Sequence, residues 1–255
     1  MSDALGEYLD HAEAAARAGG AMLRDRPTRI EHKGAIDLVT ERDLASEQRI
    51  REVFAAATPG IPVQGEETGG AREGTRWVVD PLDGTTNFVH GYAPWCVSVA
   101  LVEGTRPLVG VVYDPERDRC FRAAVGGGAW LDGARLRVSD TGELVRALAV
   151  TGFPSGDRTG AWRYLALVQR VLEQTQGVRR SGSAAMDLAT LATGASDFFW
   201  EFGLKPWDTS AGVLLVTEAG GRVTDLEGDP HTPDSPSILA SNARLHDVLL
   251  RLLAA

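Results

Sequence analysis

Between residues 61 and 138 the chain reads as short apolar runs broken by tight turn signals, and this restricts it to a sheet assembled from hairpins. The runs fall at 61–64, 76–80, 96–102, 108–114, 120–125 and 135–138, with Glu103-Gly104, Asp114-Pro115 and Asp132-Gly133 between them. Consecutive strands joined by such turns pair antiparallel. The flanks follow a different period. Leu5, Leu9, Ala12, Ala16, Met22 and Leu23 recur at helical spacing over 3–24, and Pro27 stops that helix. A second helix starts near Thr40, whose hydroxyl caps it while Asp43 answers three residues later. Its core face is Leu44, Ile50, Val53 and Phe54, and Thr58-Pro59-Gly60 ends it. Both helices are expected to pack on the antiparallel sheet.

Past residue 145 strands and helices alternate. Strands are predicted at 147–151, near 178, at 197–201, 222–224 and 238–240, with helices at 160–174, 183–192, 209–219 and 243–253. The result is an α+β half over 1–144 followed by an α/β half over 145–255, with no disordered linker, internal repeat or low-complexity segment. With 255 residues, such a chain can bury roughly three-quarters of its unfolded surface.

A net charge of −9 without a Lys/Arg cluster argues against nucleic acid or an anionic membrane as a direct partner. No apolar run approaches the roughly 18 residues of a membrane span, and the first twenty residues carry acids where a signal peptide needs a basic and then an apolar region. Two cysteines, Cys96 and Cys120, without CxxC spacing, fit a reducing cytoplasm.

Three acidic segments carry the chemistry: Gly65-Glu66-Glu67 after a strand; Asp80-Pro81-Leu82-Asp83-Gly84-Thr85 ending another; and Trp207-Asp208-Thr209 at the start of a helix. Strand ends and helix starts are where layered α/β folds place ligands. Pro81 turns the chain and brings Asp83 back to the side of Asp80, and Gly84-Thr85 can open a helix whose free N–H groups attract a phosphate. Gathered acids repel one another by about 4 kcal/mol per pair at ~4 Å and an effective dielectric near 20, so they need cations. Oxygen-only donors favour Mg2+ or Mn2+ over zinc or copper, and that pattern suits metal-assisted phosphoester hydrolysis. Each acidic pair taken singly also reads as a solvated turn.

These strings resemble the signatures of the inositol monophosphatase family, within the lithium-sensitive, Mg2+-dependent phosphatases. The Gly65-Glu66-Glu67 and Trp77–Phe88 strings resemble its first signature, and Trp207–Gly212 followed by Thr217–Gly221 its second. Lys33, Asp37, Val39, Thr40 and Asp43 resemble an upstream pattern. The resemblance runs from about residue 5 to 252. It implies a sandwich of alternating α and β layers, as in inositol monophosphatase and fructose 1,6-bisphosphatase, with the site between the halves.

It also implies roles. Glu66, Asp80, the Leu82 carbonyl, Asp83 and Asp208 would ligate two or three Mg2+ ions, with Glu67 assisting. Glu66 and Thr85 would orient the attacking water, Asp43 would hydrogen-bond Thr85, and the N–H groups of Gly84 and Thr85 would hold the phosphate. Asp208 would also help at the leaving group, and transfer would be in line, without a phosphoenzyme. Glu201 and the backbone at Gly182, Ser183 and Ala184 would meet the polyol, as would Asp83 and Asp208. The implied substrate is inositol monophosphate or a similar small polyol phosphate. Fructose 1,6-bisphosphate, histidinol phosphate, 3′-phosphoadenosine 5′-phosphate and NADP are the alternatives, and Arg158, Arg163, Arg179 and Arg180 could form a second basic pocket for a bisphosphate. A homodimer is implied, and some bacterial members also assist transcription complexes through protein contacts.

Other residues read as packing. His90 is a local hydrogen-bonding residue, Trp77, Trp95 and Trp207 surround the metal site, Cys96 is buried and inert, and Ser181 and Ser183 lack a His–Asp pair for nucleophilic work. The glycine-containing loop 67–76 is expected to be mobile and to order with metal.

Overall fold

The computed structural model describes residues 3–32, 38–153 and 161–254. Lys33, Asp37 and Arg158 lie outside them. The elements are α1 (Asp3–Ala21), β1 (Ile30–His32), β2 (Leu38–Thr40), α2 (Glu41–Ala57), β3 (Val63–Gly65), β4 (Thr75–Asp83), α3 (Thr85–His90), β5 (Cys96–Glu103), β6 (Arg106–Asp114), β7 (Arg119–Ala124), β8 (Gly128–Leu131) and β9 (Ala134–Arg135). There follow β10 (Leu148–Thr151), α4 (Ala161–Leu172), β11 (Gly177–Arg179), α5 (Ala184–Ala192), β12 (Phe198–Phe202), α6 (Pro206–Glu218), β13 (Arg222–Thr224), β14 (Ser237–Ser241) and α7 (His246–Leu253).

Strands β3 to β9 form one sheet in chain order, and β11-β10-β12-β14-β13 form another. Side chains alternate across a strand, so the sheets sort their apolar residues onto two faces. Trp77 and Val79 of β4 pack with Leu9, Ile50 and Phe54 of α1 and α2. Val78 joins Leu188 of α5, Leu215 of α6 and Phe199 of β12 in a core shared by both sheets. Phe198 and Trp200 face Leu249 of α7 on the far side. The layers therefore run helix, sheet, helix, sheet, helix, with α5 and α6 between the sheets.

The first sheet departs from an all-antiparallel reading, because β3 pairs parallel with β4. The connection is the 66–74 segment, which begins with the Gly65–Gly69 turn and carries the chain back before β4, and no hairpin signal governs that pairing. Of the expected run at 135–138 only Arg135 lies in a strand, the two-residue β9, and β8 fills the place before it; Gly126 to Gly128 hid the periodicity of β8. The antiparallel β1–β2 pair has too few apolar residues to show a pattern, and all of β1 is exposed. Leu44 is 49% exposed, whereas Asp43, Ser46 and Glu47 of α2 are buried. That helix turns a polar face inward because it adjoins the acidic segments.

Candidate active site

The decisive local feature is a one-residue irregularity in β4. Asp80 lies opposite Ser98 and Asp83 opposite Cys96, three residues against two. In a regular strand Asp80 and Asp83 would face opposite ways; one extra residue restores them to one side. Proline, which cannot donate to a ladder, occupies the break at Pro81. Next, Gly84 takes a left-handed conformation (φ 96°) as the cap of α3, so the helix begins beside these acids.

Helix α2 supplies the second wall. Thr40 caps it, with Thr40 N–H donating to Asp43 Oδ2 at 2.8 Å. The other Asp43 oxygen lies 3.1 Å from Thr85 Oγ1, which is also 3.1 Å from the Leu82 carbonyl. One hydroxyl proton thus serves two acceptors. Burial pushes the Asp43 carboxyl upward, opposed by the Thr40 and Thr85 hydrogen bonds.

Asp208 enters from the first turn of α6, where its Oδ2 accepts the Lys205 N–H at 2.7 Å. The hydroxyl of Ser98 donates to the Trp207 carbonyl at 3.1 Å and ties that turn to β5. Glu66 is set by its N–H on the Val79 carbonyl, one residue before Asp80. Burial, then the charges of Glu66, Asp83 and Asp208, hold the Asp80 carboxyl well above the usual range. Asp208 is raised in the same way, by burial and then Asp83.

The fourth wall is the start of α5. Asp83 Oδ2 accepts Ser183 Oγ and the Ala185 N–H, both at 2.7 Å. Asn87 spends its amide hydrogens on the Pro94 and Ser181 carbonyls, both at 2.8 Å, so it binds α3 to the 181–183 segment. Behind them Asp187 accepts Ser181 Oγ at 2.5 Å, and Glu201 of β12 is buried. Burial, then Asp187 and Asp83, push Glu201 up to about 8, with Arg180 opposing. Neither Asn87 nor Asp187 had a role in the sequence reading. Asn87 lay inside the signature string, while nothing in the local pattern of Asp187 marks it.

The structure separates the two arginines. Arg180 stands over the Phe153 ring at 5.9 Å and offsets the charges of Asp83, Asp187 and Glu201. Arg179 turns to its neighbour's carbonyl, and Arg163 lies over exposed Trp162. The tryptophans also divide. Trp77 leaves the site, stacking on Phe54 at 4.2 Å and donating to Thr58, because its position in β4 faces α2. Trp95 packs on Phe88 beneath α3, and Trp207 packs at the edge of the shared core. His90 is exposed at the end of α3.

The donor set can be tested against a divalent cation. Among the described residues no group of three or more His, Cys, Asp or Glu side chains could hold an ion as it stands. The acids are near enough to raise one another's proton affinity, yet the Asp83 and Asp208 oxygens are turned to protein donors. Their kind fits a hard cation: carboxylates and a carbonyl, with the buried Cys96 thiol held in its neutral form by burial and Asp83. Closing on Mg2+ would relieve the repulsion among them.

The sequence matches the inositol monophosphatase family model over residues 5–255. The chain belongs to the inositol monophosphatase family. It is accordingly a phosphatase, a phosphoric monoester hydrolase. It is 41% identical over 255 residues to a fructose-1,6-bisphosphatase/inositol-1-monophosphatase of Aquifex aeolicus, covering 97% of this chain and 96% of the relative. Identity to a Pseudomonas aeruginosa protein named Nus factor SuhB is 43% over 254 residues, covering 95% and 94%. The structure of an inositol monophosphatase from Anabaena superposes with a TM-score of 0.87 at 42% identity, covering 98% and 96%. No helix among the described residues of this family member is long and apolar enough to cross a membrane.

Proposed function

We propose that the chain is a Mg2+-dependent phosphomonoesterase acting on inositol monophosphate or a similar small polyol phosphate. The observation that carries the reading is the contact of Asp43 with Thr85 beside the irregular end of β4, which joins three elements around one hydroxyl. Glu66, Asp80, the Leu82 carbonyl, Asp83 and Asp208, with Glu67 assisting, would hold two or three Mg2+ ions, or Mn2+ in their place. When bound, these ions offset the phosphate charge and acidify water.

The remaining work belongs to the chain. Thr85 Oγ1 accepts a hydrogen bond from the attacking water, which Glu66 also orients; as the water proton passes to Thr85 Oγ1, the hydroxyl proton passes on to the Asp43 carboxylate. The N–H groups of Gly84 and Thr85 receive phosphate oxygens at the start of α3. Asp208 faces the leaving group. The Gly182-Ser183-Ala184 backbone and Glu201 meet the polyol hydroxyls. The expected course is in-line transfer to water without a covalent phosphoenzyme, in a cytoplasmic homodimer.

The test is phosphate release from inositol 1-phosphate, fructose 1,6-bisphosphate, histidinol phosphate, 3′-phosphoadenosine 5′-phosphate and NADP, each with Mg2+, with EDTA, and with Mg2+ plus lithium. Metal-dependent, lithium-inhibited release that Asp83→Asn abolishes supports the chemistry, and the highest kcat/KM names the substrate. Folded protein that releases nothing from any of them overturns it. A second reading, a protein-binding role in transcription complexes, is favoured by the likeness to the protein named Nus factor SuhB. Capture of transcription factors by an inactive Asp83→Asn variant would support that role as separate from hydrolysis.

A further inference from the structure

Beneath the Glu66-Glu67 turn lies an ion pair that the proposed reaction does not use. The Glu47 side chain of α2 has no exposed surface, and Arg51, one helical turn on, donates its Nε to Glu47 Oε1 at 2.9 Å. Glu47 Oε2 accepts the Glu67 N–H at 2.8 Å, and Oε1 accepts the Thr68 N–H at 3.2 Å and the Thr68 hydroxyl. The Arg51 guanidinium goes on to the Val63 carbonyl at 3.1 Å and the Gly69 carbonyl at 2.7 Å. Gly65 and Gly69 close the turn with reciprocal backbone hydrogen bonds of 3.0 and 3.1 Å. The carboxylate lies so close under Gly65 that a Cβ there would fall 2.3 Å from it.

Beyond their own pair, these side-chain hydrogen bonds of Glu47 and Arg51 end on residues 63–69. A buried carboxylate is costly unless its acceptors are filled; here the half-buried Arg51 and the turn fill those of Glu47. We infer that Glu47 and Arg51 are positioning residues that fix the 65–69 turn, and so set Glu66 and Glu67 for the divalent cation. The two acids follow a three-residue strand, which by itself gives little to hold their direction. The glycine-containing loop is thus tied at its start.

This inference rests on the metal reading above, and the experiment separates the two. Binding of Mn2+ to the full chain without substrate is followed by the electron paramagnetic resonance of the free ion, alongside thermal unfolding. The variants are Glu47→Gln, Thr68→Val, Thr68→Ser and Asp83→Asn. Glu47→Gln keeps the shape but loses the charge and one acceptor oxygen. It is expected to weaken Mn2+ by about 10- to 100-fold, the range for residues that orient metal ligands, with kcat recovering toward the parent's at saturating metal. Thr68→Val, a surface change, is expected to weaken Mn2+ by a smaller factor, and Thr68→Ser to restore it. Unchanged Mn2+ affinity in folded Glu47→Gln and Thr68→Val overturns the brace while leaving the metal reading intact. If Glu47→Gln does not fold, the two Thr68 variants decide. A parent whose Mn2+ binding is absent, or unaffected by Asp83→Asn, overturns the metal reading and this inference together.

Discussion

Two sets of acids meet at Asp83, and they are relieved by different means. In the first, Asp80 and Asp208 are raised by burial and by the charges of their neighbours, Glu66 and Asp83. In the second, Asp187 and Glu201 face a guanidinium, Arg180, that offsets them, and Ser181 donates to Asp187. The second set can persist by keeping protons: with a pKa near 8, Glu201 is mostly neutral at pH 7. The first set stands at strand and helix ends, and the proposed divalent cation would relieve it there. Burial alone does not define a catalytic acid; the charges that surround it decide whether it takes a proton or a metal.

The largest expected effect comes from breaking the first set. Asp83→Asn should lower kcat by at least about a thousandfold, since metal charge stabilisation contributes several kcal/mol; near-parent turnover at saturating Mg2+ would remove Asp83 from the proposed cation ligands. Thr85→Val should follow, with kcat down by roughly a hundredfold and KM little changed, the size of a lost proton-handling group. A rise in KM alone would make Thr85 a binding residue.

The second set is sharpened by Glu201→Gln. Loss of one hydrogen bond to a polyol corresponds to about a tenfold rise in KM. Glu201 is raised from 4.5 to about 8, so the folded chain keeps a proton that the unfolded chain releases. Its contribution to stability is full below pH 4.5 and is lost as pH rises through about 8. The glutamine cannot ionise, so urea midpoints measured from pH 5 to 9 should fall less steeply for Glu201→Gln than for the parent. Parallel slopes would place the titration elsewhere. Leu44→Lys, outside both sets, should change the unfolding free energy by no more than about 0.5 kcal/mol, as expected for an exposed position.

How much of this was legible depended on distance along the chain. The Thr40 cap with Asp43 is a local pattern of three residues, and it appears as read, as does the short helix opening at Gly84-Thr85. The hairpin series 96–124 was equally plain, because each turn signal lies between its strands. What failed needed distant partners. The period places Leu44 in the core, but Asp43, Ser46 and Glu47 take the inward face of that stretch of α2, with Ser46 Oγ donating to the Pro81 carbonyl at 3.0 Å. Trp77 was expected beside the metals, but alternation in β4 sends it to Phe54.

The sequence by itself determined the layered fold class, the three acidic segments and the family. Those properties rest on periodicity, turn chemistry and short strings, which interact within a few residues. Only the tertiary structure decided that β3 pairs parallel with β4, that Arg180 and not Arg179 faces the acids, and that Glu47 lies beneath the Glu66-Glu67 turn. Each depends on contacts between residues far apart in the chain, and such contacts are chosen by packing and charge compensation, which leave no local trace.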